Sequence, residues 1–220
     1  MKSFDFIRYH DQLRDSLTST LSEVKSRGDL CVVMTGLTDL LEVELAKHLT
    51  VEDHELLACA AGCGSCCMVN VSVLDPEAVN IARYLKGQLS DVERETLLLS
   101  MKKMVNAISD VDEEERIAMR RSCTFLSDKG ECTIYPVRPL LCRSITSTSA
   151  TACRDALAMQ ALGEQLPVVM NLFQKNLFDV GYQGLAKAME NNDMDSHGAE
   201  LTAAVLQHMN DGLAKKELDG

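Results

Sequence analysis

A chain of 220 residues that is 46% hydrophobic and 25% charged can bury a core without disulfide staples, so one domain with appendages is expected. Its formal net charge of -11, with no tryptophan, argues against a general hold on nucleic acid or anionic membrane, and no apolar run approaches membrane-spanning length. Met1 to Asp5 runs straight into charged sequence, unlike a secretory leader, so the reducing cytoplasm is the expected compartment.

Two amphipathic helices are predicted first. Phe6, Tyr9, Leu13, Leu17, Leu21 and Val24 recur every three or four residues until Gly28 breaks the pattern. Asp29 is suited to cap a second helix carrying Val33, Leu37, Leu40, Leu41 and Leu45, and the two would form an αα-hairpin. Thr50 to Asp53 offers another helix start, leading through Leu56, Leu57 and Ala58 into the first group of cysteines. Beyond that group, Met68 to Val73 alternates as a short extended segment would.

Asp75-Pro76-Glu77 combines a capping aspartate, a proline suited to the first turn and an acid facing the positive end of the helix dipole. Val79, Ile81, Ala82 and Leu85 supply the apolar face, and Gly87 is the expected stop. Ser90 with Glu93 forms a capping box for a helix bearing Leu97, Met101, Met104, Val105 and Ile108. Five acids between Asp110 and Glu115 read as a solvated linker or an exposed first turn. They lack the alternation and glycine bend of a calcium loop.

From Cys123 to Cys153 the texture is least regular, because Gly130, Pro136, Pro139 and the Ser/Thr run from Ser144 to Thr151 disfavour long helices. Helix is expected to return from Pro167, with Val169, Phe173, Leu177 and Val180. It recurs over Ala199 to Leu213 after a loop at Asn191 to Gly198. The expected fold is mainly α, a helical scaffold around an irregular, metal-stapled, cysteine-rich core. A helical hairpin would span 1–50, the cysteine core 51–160, and helices packing on the same unit 161–220.

Eight of the nine cysteines fall into two groups: Cys59, Cys63, Cys66 and Cys67, then Cys123, Cys132, Cys142 and Cys153. In a reducing compartment such density points to metal binding more than to disulfides, and thiolates select zinc or iron over magnesium or calcium. Gly62, Gly64 and Ser65 let the backbone curl so that nearby thiolates converge. Cys63-x-x-Cys66 alone is common to zinc knuckles, iron–sulfur loops and redox dithiols; with the second group downstream the signal is much stronger.

Three-cysteine radical-enzyme loops share the Cys59–Cys63–Cys66 spacing but belong on a barrel strand, which this helical pattern lacks. A thiol–disulfide oxidoreductase would need an α/β setting, also missing. One ion could take Cys63, Cys66 or Cys67, plus Cys132 and Cys142, while eight thiols could hold two ions or a larger cluster. Cys31, among Leu30, Val32 and Val33, reads as an ordinary buried residue.

A thiolate centre carries net negative charge and needs cations or N–H donors around it. Arg116, Arg120, Arg121, Arg138, Arg143 and Arg154 surround the second cysteine group. Arg138 and Arg143, which bracket Cys142, are the expected supports. His48 and His54 precede the first group and are weaker ligand choices, while His10, His197 and His208 stand without an expected acid partner. No serine triad or phosphate loop is visible.

Cys59-x-x-x-Cys63-Gly64-x-Cys66-Cys67, then Cys123-x-Phe125-Leu126 and Gly130-x-Cys132-x-Ile134-Tyr135-Pro136-x-Arg138-Pro139-x-x-Cys142-Arg143, resembles a bacterial, YkgJ-like cysteine-cluster family described as zinc- or iron-chelating domains. The resemblance covers roughly Cys59 to Cys153 and implies metal chelation by Cys59, Cys63, Cys66, Cys67, Cys123, Cys132 and Cys142, without naming a biological role. Flagellin lysine N-methylases are similar in this pattern, which raises an iron–sulfur-dependent methyltransferase as an alternative, although no glycine-rich loop for a methyl donor is present. A thiol or metal-delivery protein that docks on a protein partner is the third class. The expected cofactor is a zinc ion or an iron or iron–sulfur centre, with zinc slightly preferred.

Overall fold

The computed structural model describes the backbone of residues 4–109 and 111–218, and their side chains except at 113, 114 and 211–218. Met1 to Ser3, Asp110 in the acidic run, and the side chain of Leu213 lie outside the described residues. The chain is mainly helical, 65% helix against 3% strand.

The N-terminal region is built from α1 (Phe6–Ser22), α2 (Arg27–His48) and the short α3 (Val51–Leu56). Asp5 caps α1, accepting from the Arg8 amide at 3.0 Å, and Leu13, Leu17 and Leu21 form its buried stripe. The cap of α2 is Ser26 rather than Asp29. Asp29 sits three residues in and reaches back to the Ser26 amide at 2.9 Å, so Gly28 lies inside the first turn instead of ending a helix. Val33, Leu37, Leu41 and Leu45 face inward from α2, while Leu40 is 47% exposed.

The expected hairpin is opened by a third helix. α1 lies chiefly along α9 (Leu172–Glu190) and touches α2 only lightly. Two glycines make that possible: a Cβ on Gly181 would stand 2.5 Å from Leu41, and one on Gly184 would stand 3.3 Å from Leu13. Leu177, Phe178 and Leu185 complete this first core. Burying each such side chain contributes about 1.5–3 kcal/mol. α9 begins at Leu172 under an Asn171 cap, well after Pro167, and Val169 stays exposed.

A second core gathers α4 (Asp75–Gln88), α5 (Asp91–Ile108) and α10 (Leu201–Leu218), through Ile81, Leu85, Met101, Val205 and Met209. Phe125 and Ile134 enter it from the cysteine-rich segment. The Ser90–Glu93 capping box forms as expected. In α4, however, Leu74 is the cap position and the helix passes through Gly87 to Gln88. Buried Glu77 performs the capping, accepting from the Leu74 amide at 2.9 Å and from the Leu140 amide at 2.8 Å. Asp75 is thereby released to meet His208 Nε2 at 2.7 Å.

Acidic residues Glu113 to Glu115 open α6 (Glu113–Ala118) behind an Asp112 cap. Two minimal strands, β1 (Ser72–Val73) and β2 (Ala199–Glu200), pair antiparallel with Ser72 opposite Glu200. Gly198 permits it, since a Cβ there would fall 2.0 Å from Ser72 Oγ and 2.4 Å from the Tyr182 hydroxyl. α7 (Leu140–Ser144) packs on α9, and α8 (Ala150–Gln160) packs on the turn at Ser65 to Met68, so Cys153 is helical rather than in irregular chain.

Candidate metal centre

The two cysteine stretches are held back to back by the main chain. Gly62 turns with φ +87°, and Ser65 to Met68 form a 3-10 turn that carries Cys66 and Cys67. The Cys123 amide then donates to the Cys67 carbonyl at 2.7 Å, which fixes the second stretch on the first. Ser127 and Glu131 close a turn at 2.9 Å, and the Thr133 amide donates to the Phe125 carbonyl at 2.8 Å, bringing Cys132 back beside Cys123. Gly130 makes the turn at φ +75°, and a Cβ there would lie 2.8 Å from the Gly62 carbonyl oxygen. Tyr135 to Val137 form a second 3-10 turn, followed by α7, which delivers Cys142.

These stretches enclose a cavity of about 60 Å³ lined by Cys66, Cys67, Cys123, Cys132 and Cys142. That exceeds the space one water needs, roughly 10–15 Å³. Arg116 and Arg138 form part of its wall, and the start of α10 closes another side with Glu200, Leu201 and Thr202. Among the described residues, no three His, Cys, Asp or Glu side chains converge closely enough to hold a metal ion as they stand. No disulfide joins any of the cysteines.

The charge balance shows what such a cavity lacks. The Cys66 thiol is brought down to about 6, first by the hydrogen bond from the Cys67 thiol and then by the Arg138 guanidinium. Cys67 is pushed up by donating that bond and by burial. Burial raises Cys123 to about 11 and lifts Cys142 and Cys132 as well. Several thiols are thus held neutral for want of positive charge, which a thiophilic cation supplies as it displaces their protons.

Two arginines add donors. Arg116 is 3% exposed and donates through Nη1 to the Arg121 carbonyl, yet its Nε is buried without an acceptor, as is Nε of Arg138. N–H donors beside thiolate sulfur are what a negatively charged thiolate centre requires. The donor set therefore fits zinc or iron.

The other residues marked in the sequence lie elsewhere. Cys59 is exposed and outside the cavity lining, and its Sγ accepts from the Ser147 amide at 3.2 Å. Cys63 and Cys153 also lie off the lining. Arg143, 7% exposed, pairs with Glu42 and donates to the carbonyls of Arg138 and Pro136, each at 3.0 Å. It braces the turn that presents Arg138 and Cys142 instead of facing the cavity. Cys31 is buried in the first core.

The histidines do not reach the cavity lining. His48 stacks on Phe173 at 4.5 Å between centroids, and His54 is exposed on α3. His10, His197 and His208 do find acids, namely Asp11 at 3.3 Å, Asp195 at 2.7 Å and Asp75 at 2.7 Å, contrary to the expectation that they stand alone. Glu200 escaped sequence reasoning because only the β1–β2 pairing brings it to the thiols.

Residues 58–161 match the CxxCxxCC family, described as "Putative zinc- or iron-chelating domain". That match supports metal binding by this segment, with zinc or iron as the candidate ions. The interval from Cys59 to Cys63 is one residue longer than the family's name spells out. No curated protein and no solved structure matches the chain. Among the described residues, no helix is long and apolar enough to cross a membrane.

Proposed function

We propose that the protein binds a zinc ion in this cavity through the thiolates of Cys67, Cys123, Cys132 and Cys142, with Cys66 beside them. The observation that carries this reading is the gathering of five thiols from separate stretches around one cavity whose walls hold two arginine Nε atoms without acceptors. Zinc is preferred over an iron–sulfur cluster because four thiolates from one chain close a tetrahedral shell with no added sulfide. The bound ion supplies charge neutralisation and a cross-link. Arg116 and Arg138 offset the residual negative charge, while Arg143 holds their neighbourhood in shape.

A second reading is favoured by the Glu200–Thr202 wall. An iron–sulfur centre would have a small chamber beside it, where Arg116 and Arg138 could hold an anionic ligand and Glu200 could accept a proton. Anaerobic purification of the untagged chain, with elemental analysis and a visible spectrum, separates the two. Zinc in a colourless solution is expected. Stoichiometric iron and sulfide with broad visible absorption would reverse the assignment, and protein free of both metals would sink it.

A further inference from the structure

We propose that a basic, amphipathic polypeptide segment docks on an apolar surface where the end of α3, the residues before α8 and the stretch leading into α9 meet. The proposal is independent of the metal assignment above. Two helices, α3 and α8, bury no side chain fully, and both run into the same seam. Just past α3, the Ala58 amide donates to the Ser147 carbonyl at 2.8 Å. On the other side, the Thr148 amide donates to the Val169 carbonyl at 3.1 Å, and the Asn171 amide donates to the Thr146 hydroxyl at 3.0 Å. Three chain stretches therefore lie side by side, about 10 Å across at ordinary strand spacing.

The seam holds large apolar side chains out in water. Leu56, Val169 and Leu172 are each 64–66% exposed, and Leu162 and Leu166 are exposed in the loop that follows α8. Such side chains scattered singly are ordinary. Several of them on one stretch of surface, rimmed by charged groups, mark a contact site.

The rim selects the partner. Glu52 and Glu55 stand exposed on α3, Asp155 on α8 and Glu164 in the loop after it. The nearest lysines and arginine along these stretches are already engaged. Lys47 pairs with Glu44 at 2.9 Å, Lys175 pairs with Asp179, and Arg154 donates to the Thr151 hydroxyl at 2.9 Å. A second copy of the chain would lay this acidic rim on itself and bring one net charge of -11 against another. Anionic lipid and nucleic acid are repelled for the same reason. A segment with apolar side chains on one face and lysine or arginine beside them fits both features. Its anchors cover the leucines and Val169, and its cations meet the acids.

The test uses the full chain and a labelled leucine–lysine peptide with its leucines at helical spacing, followed by fluorescence anisotropy. Saturable binding to wild type is expected. Val169→Ser with Leu172→Ser should weaken it about tenfold, as should Leu162→Ser with Leu166→Ser. Two separate pairs guard against one that merely folds poorly. Glu55→Gln with Glu164→Gln should weaken it about threefold, and Val92→Ser with Leu99→Ser, exposed on α5, should leave it unchanged. Absence of binding to wild type would overturn the proposal, and so would equal loss in the α5 variant. Equally tight binding of the peptide with glutamate in place of lysine would overturn the basic partner. A wild-type dimer in sedimentation that Val169→Ser with Leu172→Ser dissociates would assign the surface to a second copy instead.

Discussion

At the scale of single residues, the most consequential side chain outside the thiols is Glu77. It is 2% exposed, and its two oxygens satisfy the amides of Leu74 and Leu140, which joins the start of α4 to the helix that carries Cys142. Burial lifts its carboxyl from 4.5 to about 7, with the two amide bonds and Arg143 pulling the other way. A raised folded-state value means that the folded chain holds the proton more tightly than the unfolded chain. The contribution of Glu77 to stability is thus complete below about pH 4.5 and is lost as pH rises through about 7. Each pH unit inside that window is worth up to about 1.4 kcal/mol. Glu77→Gln should flatten this dependence, which urea unfolding from pH 5 to 8 checks by comparing the slopes of the two proteins. An identical slope in the variant would rule Glu77 out as its source.

Residue-scale features were legible in the sequence where chemistry shows in local spacing. The cysteines, Arg138 and the buried character of Cys31 all announced themselves this way. Arg116 was only one arginine among six, since its burial against the thiols depends on where α6 packs. Glu200 carried no local signal at all.

Among the elements, caps were readable whenever two capping residues stood at the right interval, as with Thr50 and Asp53 or Ser90 and Glu93. They misled where the acid works from inside the helix. Asp29 and Glu77 both fold back from the third position, so the helices begin earlier than an aspartate-cap reading suggests. The α1–α2 hairpin failed for a different reason: Gly181 and Gly184, silent in the periodicity of α9, allow that helix to approach α1 and α2 closely.

The turn at Gly130 gives the element-scale prediction. Its φ of +75° disfavours a side chain, and the added Cβ would meet the Gly62 carbonyl oxygen, part of another chain stretch's backbone that cannot swing aside as a side-chain tip can. Gly130→Ala should cost about 1–3 kcal/mol. It should also lower metal occupancy, because it pushes the Cys123–Cys132 turn off the Cys59–Cys67 loop. Thermal unfolding and metal content measured on the same preparation test this, and a variant with wild-type occupancy would show that the two loops need not touch.

Across the whole molecule, the two cores differ in their dependence on the metal segment. The first is made almost entirely by α1, α2 and α9, whereas the second takes Phe125 and Ile134 from the cysteine-rich stretch and has Cys123 and Cys132 packed against it. Removing metal with a chelator should therefore loosen α4, α5 and α10 before α1 and α9. Hydrogen exchange followed helix by helix should show protection falling first in Ile81, Met101 and Val205 and persisting in Leu17 and Leu185. Uniform loss in both cores would mean that they unfold as one unit.

The short β1–β2 pairing also sets an order of assembly. A chain is made from its N-terminus, and every clustered cysteine precedes Ala199 and Glu200, which seat the last wall of the cavity. The thiols are complete while that side still stands open. The wall at Glu200 to Thr202 is thus held in place by a pairing of two residues on each strand, so the side of the cavity farthest along the chain rests on its smallest element.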